Sequence, residues 1–310
     1  MGKKVVVFGS YVADLTGTGE HLPRPAETVF GETFRIGPGG KGSNQAVAAH
    51  RAGADLRLIT KVGKDVFGDL ALAFYEKERM DTQFVLVDEE AATGVALICV
   101  DEKTKQNQIL VVPSACTRFG DRDLSQIEDI IRNADILLLQ FEINMDALEK
   151  AVDIAKEHEV LIVLNPAPAR EVSRELLSKI DIITPNEMEA KALTGVEVTN
   201  EESALQAAQV FHRMGIPSVV ITMGEKGAFY SGGSGQGMIP ARLVKAVDTT
   251  GAGDAFNGGL VTALSEGKEL EEAVRFGNTT ASLSVQKFGT APSMPYRREI
   301  DREEAAADLR

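Results

Sequence analysis

Short runs of β-branched and aliphatic residues recur along the chain, separated by stretches whose apolar positions fall at helical spacing. Residues 5–8, 56–61, 136–140, 160–165, 180–184 and 218–223 read as strands buried on both faces. Residues 124–133, 145–158 and 201–214 repeat apolar side chains at i, i+3 and i+4 and read as helices. This alternation predicts an α/β fold: a doubly wound, mostly parallel central sheet with helices on both faces. Two regions break the pattern. Residues 11–36 hold alternating segments such as Thr33-Phe34-Arg35-Ile36. Residues 93–112 read as a hairpin, 94–100 and 108–112, around a polar turn at 101–107. These strands predict a small β-sheet beside the main one. No repeat, low-complexity linker or composition break divides the chain, so a single α/β domain over 1–310 is expected, with the small sheet supplied by about 11–36 and 93–112.

Composition narrows the partners. At 310 residues with 44% hydrophobic side chains, the chain can bury a sizeable core. A formal charge of −13 argues against nucleic acid or an anionic membrane as partner. It leaves ATP open, because a local array of N–H groups decides phosphate binding. Cys99 and Cys116 are too few for a disulfide framework and read as reduced thiols. After Met1-Gly2-Lys3-Lys4 comes a strand too short for a signal-peptide core, and no apolar run approaches a membrane span, so a cytoplasmic protein is expected.

The densest chemistry lies in Asp248-Thr249-Thr250-Gly251-Ala252-Gly253-Asp254-Ala255-Phe256-Asn257. Gly251, Ala252 and Gly253 are small enough for bare backbone N–H groups to face a ligand, and 254–264 read as a helix. Unpaired N–H groups and the helix dipole favour an anion there. A carboxylate at that spot is electrostatically odd unless it handles a proton, so Asp254 reads as a general base beside a phosphoryl group in transfer. A glycine-rich turn with Asp254 as an ordinary N-cap fits the same residues.

A second such segment, Gly37-Pro38-Gly39-Gly40-Lys41-Gly42-Ser43-Asn44, precedes a helical run at 45–52. Its G-x-G-x-x-G spacing falls in the wrong place for a dinucleotide loop, which should follow the first strand. It is no Walker A loop either, since Gly42 follows Lys41. A mobile surface glycine loop is the plainer reading. His21, His50, His158 and His212 are scattered without ligand spacing, and neither C-x-x-C, H-E-x-x-H nor G-x-S-x-G occurs.

Together the two segments resemble the ribokinase branch of the PfkB-type carbohydrate kinases. The likeness runs through Val5-Val6-Val7-Phe8-Gly9-Ser10 with Asp14, G-G-K-G-S-N at 39–44 and T-G-V-A-L at 93–97. It continues through N-P-A-P-A-R at 165–170, T-P-N-E-x-E at 184–189 and V-D-T-T-G-A-G-D at 247–254. The resemblance implies an ATP-dependent sugar kinase acting on the 5-hydroxyl of D-ribose, with the small sheet as a lid through which two copies pair as a homodimer. Asp254 is then the base, with the N–H groups of Gly251 to Asp254 as the anion hole. Val12, Asp14, Gly40, Lys41, Gly42, Asn44 and Glu142 surround the sugar. ATP lies across Thr222, Gly224, Glu225, Lys226 and Gly227, near Asn186 and Gly253, with Asn278 bordering the adenine. Asn186 and Glu189 are implied to hold Mg²⁺, mostly through water, although N-x-x-E is equally a polar start to a helix at 187–193. A monovalent cation, K⁺, is implied at Asp248, Thr250, Ser284, Lys287, Gly289 and Ser293.

Two departures bear on the sugar. Val12 stands where ribokinases carry Asn, and Ser114-Ala115-Cys116 replaces their Gly-Ala-Asn. Losing a polar reader of a hydroxyl removes the penalty on substrates lacking it. 2-Deoxyribose is therefore a rival substrate, another sugar or a nucleoside follows, and a non-catalytic sugar-binding regulator is the remote alternative.

Overall fold

The computed structural model describes residues 2–104, 106–233 and 235–307. Its main sheet has nine strands: β1 (Lys4–Phe8), β4 (Asp55–Gly63), β5 (Val85–Asp88), β8 (Ile136–Gln140), β9 (Leu161–Asn165), β10 (Ile182–Ile183), β11 (Ser218–Thr222), β12 (Ala228–Gly232) and β13 (Gly235–Ile239). They lie in the order β13-β12-β11-β10-β9-β8-β1-β4-β5. From β11 to β5 every pairing is parallel, and only the β11–β12 and β12–β13 pairings at one edge are antiparallel.

The continuous apolar runs follow from burial on both sides. Val5, Val7, Leu58, Leu138 and Val220 face a core beneath α1 (Lys41–Ala52), α8 (Ala252–Ser265) and α9 (Leu270–Ser284). Val6, Phe8, Leu137, Leu139, Leu164 and Ile221 face the opposite core beneath α3 (Asp121–Arg132), α4 (Met145–Glu157) and α7 (Glu201–Arg213). The doubly wound arrangement expected from the pattern is the one observed.

The small second sheet has the order β3-β2-β6-β7, formed by β2 (Val12–Gly19), β3 (Gly31–Gly39), β6 (Gly94–Asp101) and β7 (Asn107–Val112). The expected hairpin at 93–112 is β6 with β7; residue 105 of its turn lies outside the described residues.

Some boundaries differ. The strand expected over 180–184 shortens to Ile182–Ile183. Asp181 and Thr184 still donate sideways to the Ile162 and Leu164 carbonyls, and Pro185, lacking an N–H, ends the ladder. The pattern did not predict α2 (Val66–Glu78), α5 (Arg174–Ser178), α9, α10 (Arg297–Ala307), β5 or β13, and α6 (Glu187–Thr194) begins where the polar start was read.

The two glycine-rich segments meet because α1 and α8 pack almost backbone to backbone. A Cβ on Gly258 would fall 2.4 Å from the Ala48 methyl and 2.8 Å from the Ala49 nitrogen. That contact sets both helix N-termini side by side at the carboxyl edge of the sheet, where open α/β sheets bind ligands.

Candidate active site

Gly251 is the N-cap of α8, in the left-handed region at φ 79° and without a capping side chain. Asp254 is the third residue of the helix, so the N-cap reading of Asp254 is corrected: a glycine occupies that position and leaves the first-turn N–H groups without a side-chain partner. A Cβ on Gly253 would meet nothing within 4 Å, so open space lies beside the first turn of α8.

The Asp254 carboxylate is buried and accepts one amide N–H on each oxygen: Asn44 Nδ2 at 2.9 Å on Oδ2 and Gln45 Nε2 at 3.0 Å on Oδ1. Burial raises its proton affinity, while the Lys41 ammonium and the two amides act in the opposite direction. The Asn44 Oδ1 is itself buried without a partner, a free acceptor beside the base.

Lys41 opens α1 after Gly40, which adopts φ 86°. Burial lowers the Lys41 pKa, but Asp254, Glu142 and Glu189 outweigh it and hold the ammonium above its ordinary value. Glu142 lies just past β8; its Oε2 accepts the Ser10 hydroxyl at 2.5 Å and the Lys41 backbone N–H at 2.9 Å. Asp14, on β2, accepts the Thr290 hydroxyl at 3.2 Å. Burial, with Glu142 and Asp254 nearby, pushes Asp14 up to about 6 despite the Thr290 bond. Gly42 touches the end of β1, where a Cβ would lie 2.5 Å from the Gly9 carbonyl carbon and the Ser10 nitrogen.

Asp14 and Val12 point to one face of β2, because side chains alternate along a strand. That face borders a cleft of about 540 Å³ between the small sheet and the 246–250 and 288–292 loops, lined by Asp14, Thr16, Ile98, Ile109 and Phe288 among others. Asp14 bounds the cleft, whereas Val12, which is buried, and Asp254, Lys41 and Asn44 are not among its lining residues. Arg35 of β3 stacks over the Phe288 ring at 4.6 Å and ties the sheet to the loop.

The remaining residues fall in two groups. Asn186 caps α6: its Oδ1 accepts the Glu189 N–H at 2.8 Å, and Glu189 Oε2 accepts the Asn186 N–H at 2.9 Å. The pair is thus a capping box, which leaves Glu189 Oε1 outside it. Thr222 bridges Asn186, and Gly224–Lys226 form a tight turn between β11 and β12. Gly227 and Asn278 converge on the Ile239 carbonyl; a Cβ on Gly227 would lie 2.0 Å from it, and Asn278 Nδ2 donates to it at 2.9 Å. Glu225 is exposed, and Lys226 Nζ reaches the Thr199 carbonyl.

In the other group, the Asp248 carboxylate accepts the Thr250 and Gly289 N–H groups, each at 3.0 Å. The Val247 and Asp248 N–H groups both reach the Val285 carbonyl, next to Ser284. Lys287 pairs with Glu299, and Ser293 donates to the Thr290 carbonyl. Two carbonyl-rich loops are thereby held together beside the α8 N-terminus.

At the departures from the expected motif, Ser114 adopts φ 48°, a conformation that favours the glycine it replaces. The buried Cys116 Sγ accepts the Tyr11 N–H at 3.3 Å and donates to the Tyr11 carbonyl at 2.9 Å, bracing the strand that carries Val12.

The sequence matches the profile described as pfkB family carbohydrate kinase over residues 2–297. The chain belongs to this family. It is 45% identical to a ribokinase of Haemophilus influenzae, covering 96% of this chain and 97% of that one. It is 34% identical to a deoxyribokinase of Salmonella typhi, covering 94% and 95%. The structure of an Arabidopsis thaliana ribokinase complexed with ribose and ATP superposes with a TM-score of 0.89 at 32% identity, covering 97% of this chain and 98% of that one. The fold, the family and a carbohydrate-kinase activity thus agree with the expectations from the sequence. Among the described residues no helix is long and apolar enough to cross a membrane.

Proposed function

We propose that the protein is an ATP-dependent ribokinase of the cytoplasm, one α/β kinase domain over 1–310 with the small sheet as its lid. The observation that carries this reading is Asp254: a buried carboxylate, held by two amides, in the first turn of a helix that has no capping side chain. Asp254 takes the proton of the 5-hydroxyl as that oxygen attacks the γ-phosphorus. The N–H groups of Gly251 to Asp254 stabilise charge spreading over the transferred phosphoryl group. Val12, Asp14, Gly40, Lys41, Gly42, Asn44 and Glu142 hold the sugar, and the lid keeps water from being phosphorylated in its place. ATP lies along Asn186 and the turn from Thr222 through Gly224, Glu225, Lys226 and Gly227 to Asn278.

Charge balance supports the cations. Glu142, Glu189 and Asp254 surround one ammonium, Lys41, with Asp14 beside Glu142 and Asp254, and these carboxylates would repel a polyphosphate on their own. Asn186 and Glu189 would hold Mg²⁺, largely through water, and the ion supplies charge neutralisation at the phosphates. Asp248, Thr250, Ser284, Lys287, Gly289 and Ser293 would hold K⁺ beside the anion hole. Replacing K⁺ by Na⁺ or Tris at constant ionic strength is expected to lower the rate, and equal rates in all three would count against that site.

The lid's outer face supports a homodimer. Phe34 and Leu110 are 66% and 61% exposed there, and Ile36, Leu97 and Val112 extend the same apolar surface.

A screen of ATP consumption over pentoses, hexoses and nucleosides tests the substrate, with D-ribose expected to lead; no turnover of any pentose would overturn the reading. Val12 favours 2-deoxyribose as a second substrate, since an apolar side chain shares the strand face of Asp14. Val12→Asn adds a partner for the 2-hydroxyl that 2-deoxyribose leaves unpaired, at a cost of about 1–3 kcal/mol. The ribose to deoxyribose ratio of kcat/KM is then expected to rise roughly tenfold. An unchanged ratio would mean that Val12 merely packs the strand end.

A further inference from the structure

We infer that Gln45 is a positioning residue for phosphoryl transfer, fixing the Asp254 carboxylate through a closed ring of buried amides that returns to the anion hole. The inference rests on the reading of Asp254 as the base. Gln45 Nε2 donates to Asp254 Oδ1 and to Asn165 Oδ1, each at 3.0 Å. Asn165 Nδ2 donates to the Thr184 carbonyl at 3.0 Å, and the Thr184 hydroxyl donates to Asn257 Oδ1 at 2.6 Å. Asn257 Nδ2 then donates to the Gly253 carbonyl at 2.8 Å, whose peptide leads straight into Asp254. All of these side chains are buried. They come from α1, α8 and the carboxyl ends of the two neighbouring strands β9 and β10, so the ring ties the base to the rigid frame.

Chemistry fixes the direction of each bond. An ionised carboxylate only accepts, so the Gln45 amide must turn its nitrogen to Asp254. Its oxygen then faces the other way, where Gln140 Nε2 donates to it at 2.7 Å. Gln140 thus locks the amide that locks the base.

The charged groups facing Asp254 are Lys41 from α1, Glu142 after β8, Asp14 from β2 and Glu189 from α6. Lys41 favours the ionised base and the three carboxylates oppose it. Burial raises the proton affinity of Asp254, and Gln45 and Asn44 supply the hydrogen bonds that oppose it. Removing Gln45 takes away one of these two bonds, so Asp254 should hold its proton to higher pH. The base is needed ionised, so activity should be lost sooner as pH falls.

The test is the pH profile of kcat/KM for D-ribose in Gln45→Met, since its acid limb reports the base of the free enzyme. The limb is expected to move to higher pH by about one unit, with a several-fold fall in plateau kcat and an unchanged KM for ATP. Gln140→Leu keeps Gln45 but frees its amide, and should move the limb the same way by less; it carries the test if Gln45→Met does not fold. A limb unmoved in the folded variants overturns the inference. Asp254→Asn separates the two levels: if it is inactive while the limb stays put, only the role of Gln45 fails. If Asp254→Asn remains active, the assignment of the base fails with it.

Discussion

Asp254→Asn is expected to lower kcat by 10²- to 10⁴-fold, the usual worth of a general base, while ATP still binds. The amide removes the proton acceptor, and it also disturbs the cradle. Both carboxylate oxygens accept an N–H, from Asn44 and from Gln45, and an asparagine can present only one oxygen. Its NH₂ must oppose one of those two donors, which adds a buried mismatch to the lost base. The N–H groups at the start of α8, proposed to face the phosphate, belong to the backbone and survive the change. Coupled measurement of ADP release gives kcat, and calorimetry gives ATP affinity. A variant within threefold of the wild-type rate would remove Asp254 from the mechanism.

Much of this site was legible in the sequence, because its chemistry sits in short segments of glycine and carboxylate. The run 248–257 predicted an anion hole with a base at Asp254, and the pairing of α1 with α8 puts Lys41 and Asn44 around that carboxylate. The strands of the main sheet were legible because burial on both faces leaves no polar alternation to confuse them. α9 was not, since Phe276, Gly277, Asn278, Thr279 and Thr280 are buried in succession and leave no apolar stripe. Its Gly, Asn, Thr and Ser content also lowers helix propensity. β13 starts Gly-Gln-Gly, which carries no strand signal at all. The amide ring is illegible in the sequence for a different reason. Gln140 and Asn165 each end an apolar strand, and Gln45 opens what reads as an ordinary helical face. A polar residue closing several parallel strands at their carboxyl edge was the available signal, but only the fold shows that these amides meet.

That meeting depends on one close approach. Gly42 lies inside α1 with ordinary helical geometry, so backbone freedom does not explain it. Space does: an added Cβ would stand 2.5 Å from the Gly9 carbonyl carbon and the Ser10 nitrogen, and 2.6 Å from the Gly9 Cα. These are backbone atoms at the end of β1 and cannot swing aside. In Gly42→Ala the first turn of α1 must lift away, carrying Lys41, Asn44 and Gln45 off Glu142 and Asp254. A misplacement of about 1 Å in such groups can cost about 10²-fold, so kcat/KM for the sugar is expected to fall by about that factor or more. Lys41 also loses its backbone bond to Glu142, so KM for the sugar should rise as kcat falls. Gly120→Ala is the matched control: its new methyl would meet only the Asp123 carboxylate, at an ordinary contact distance of 3.9 Å. Steady-state kinetics beside thermal melts of both variants decide the matter. If Gly42→Ala matches Gly120→Ala in rate, the strand end and the helix do not need to touch for catalysis.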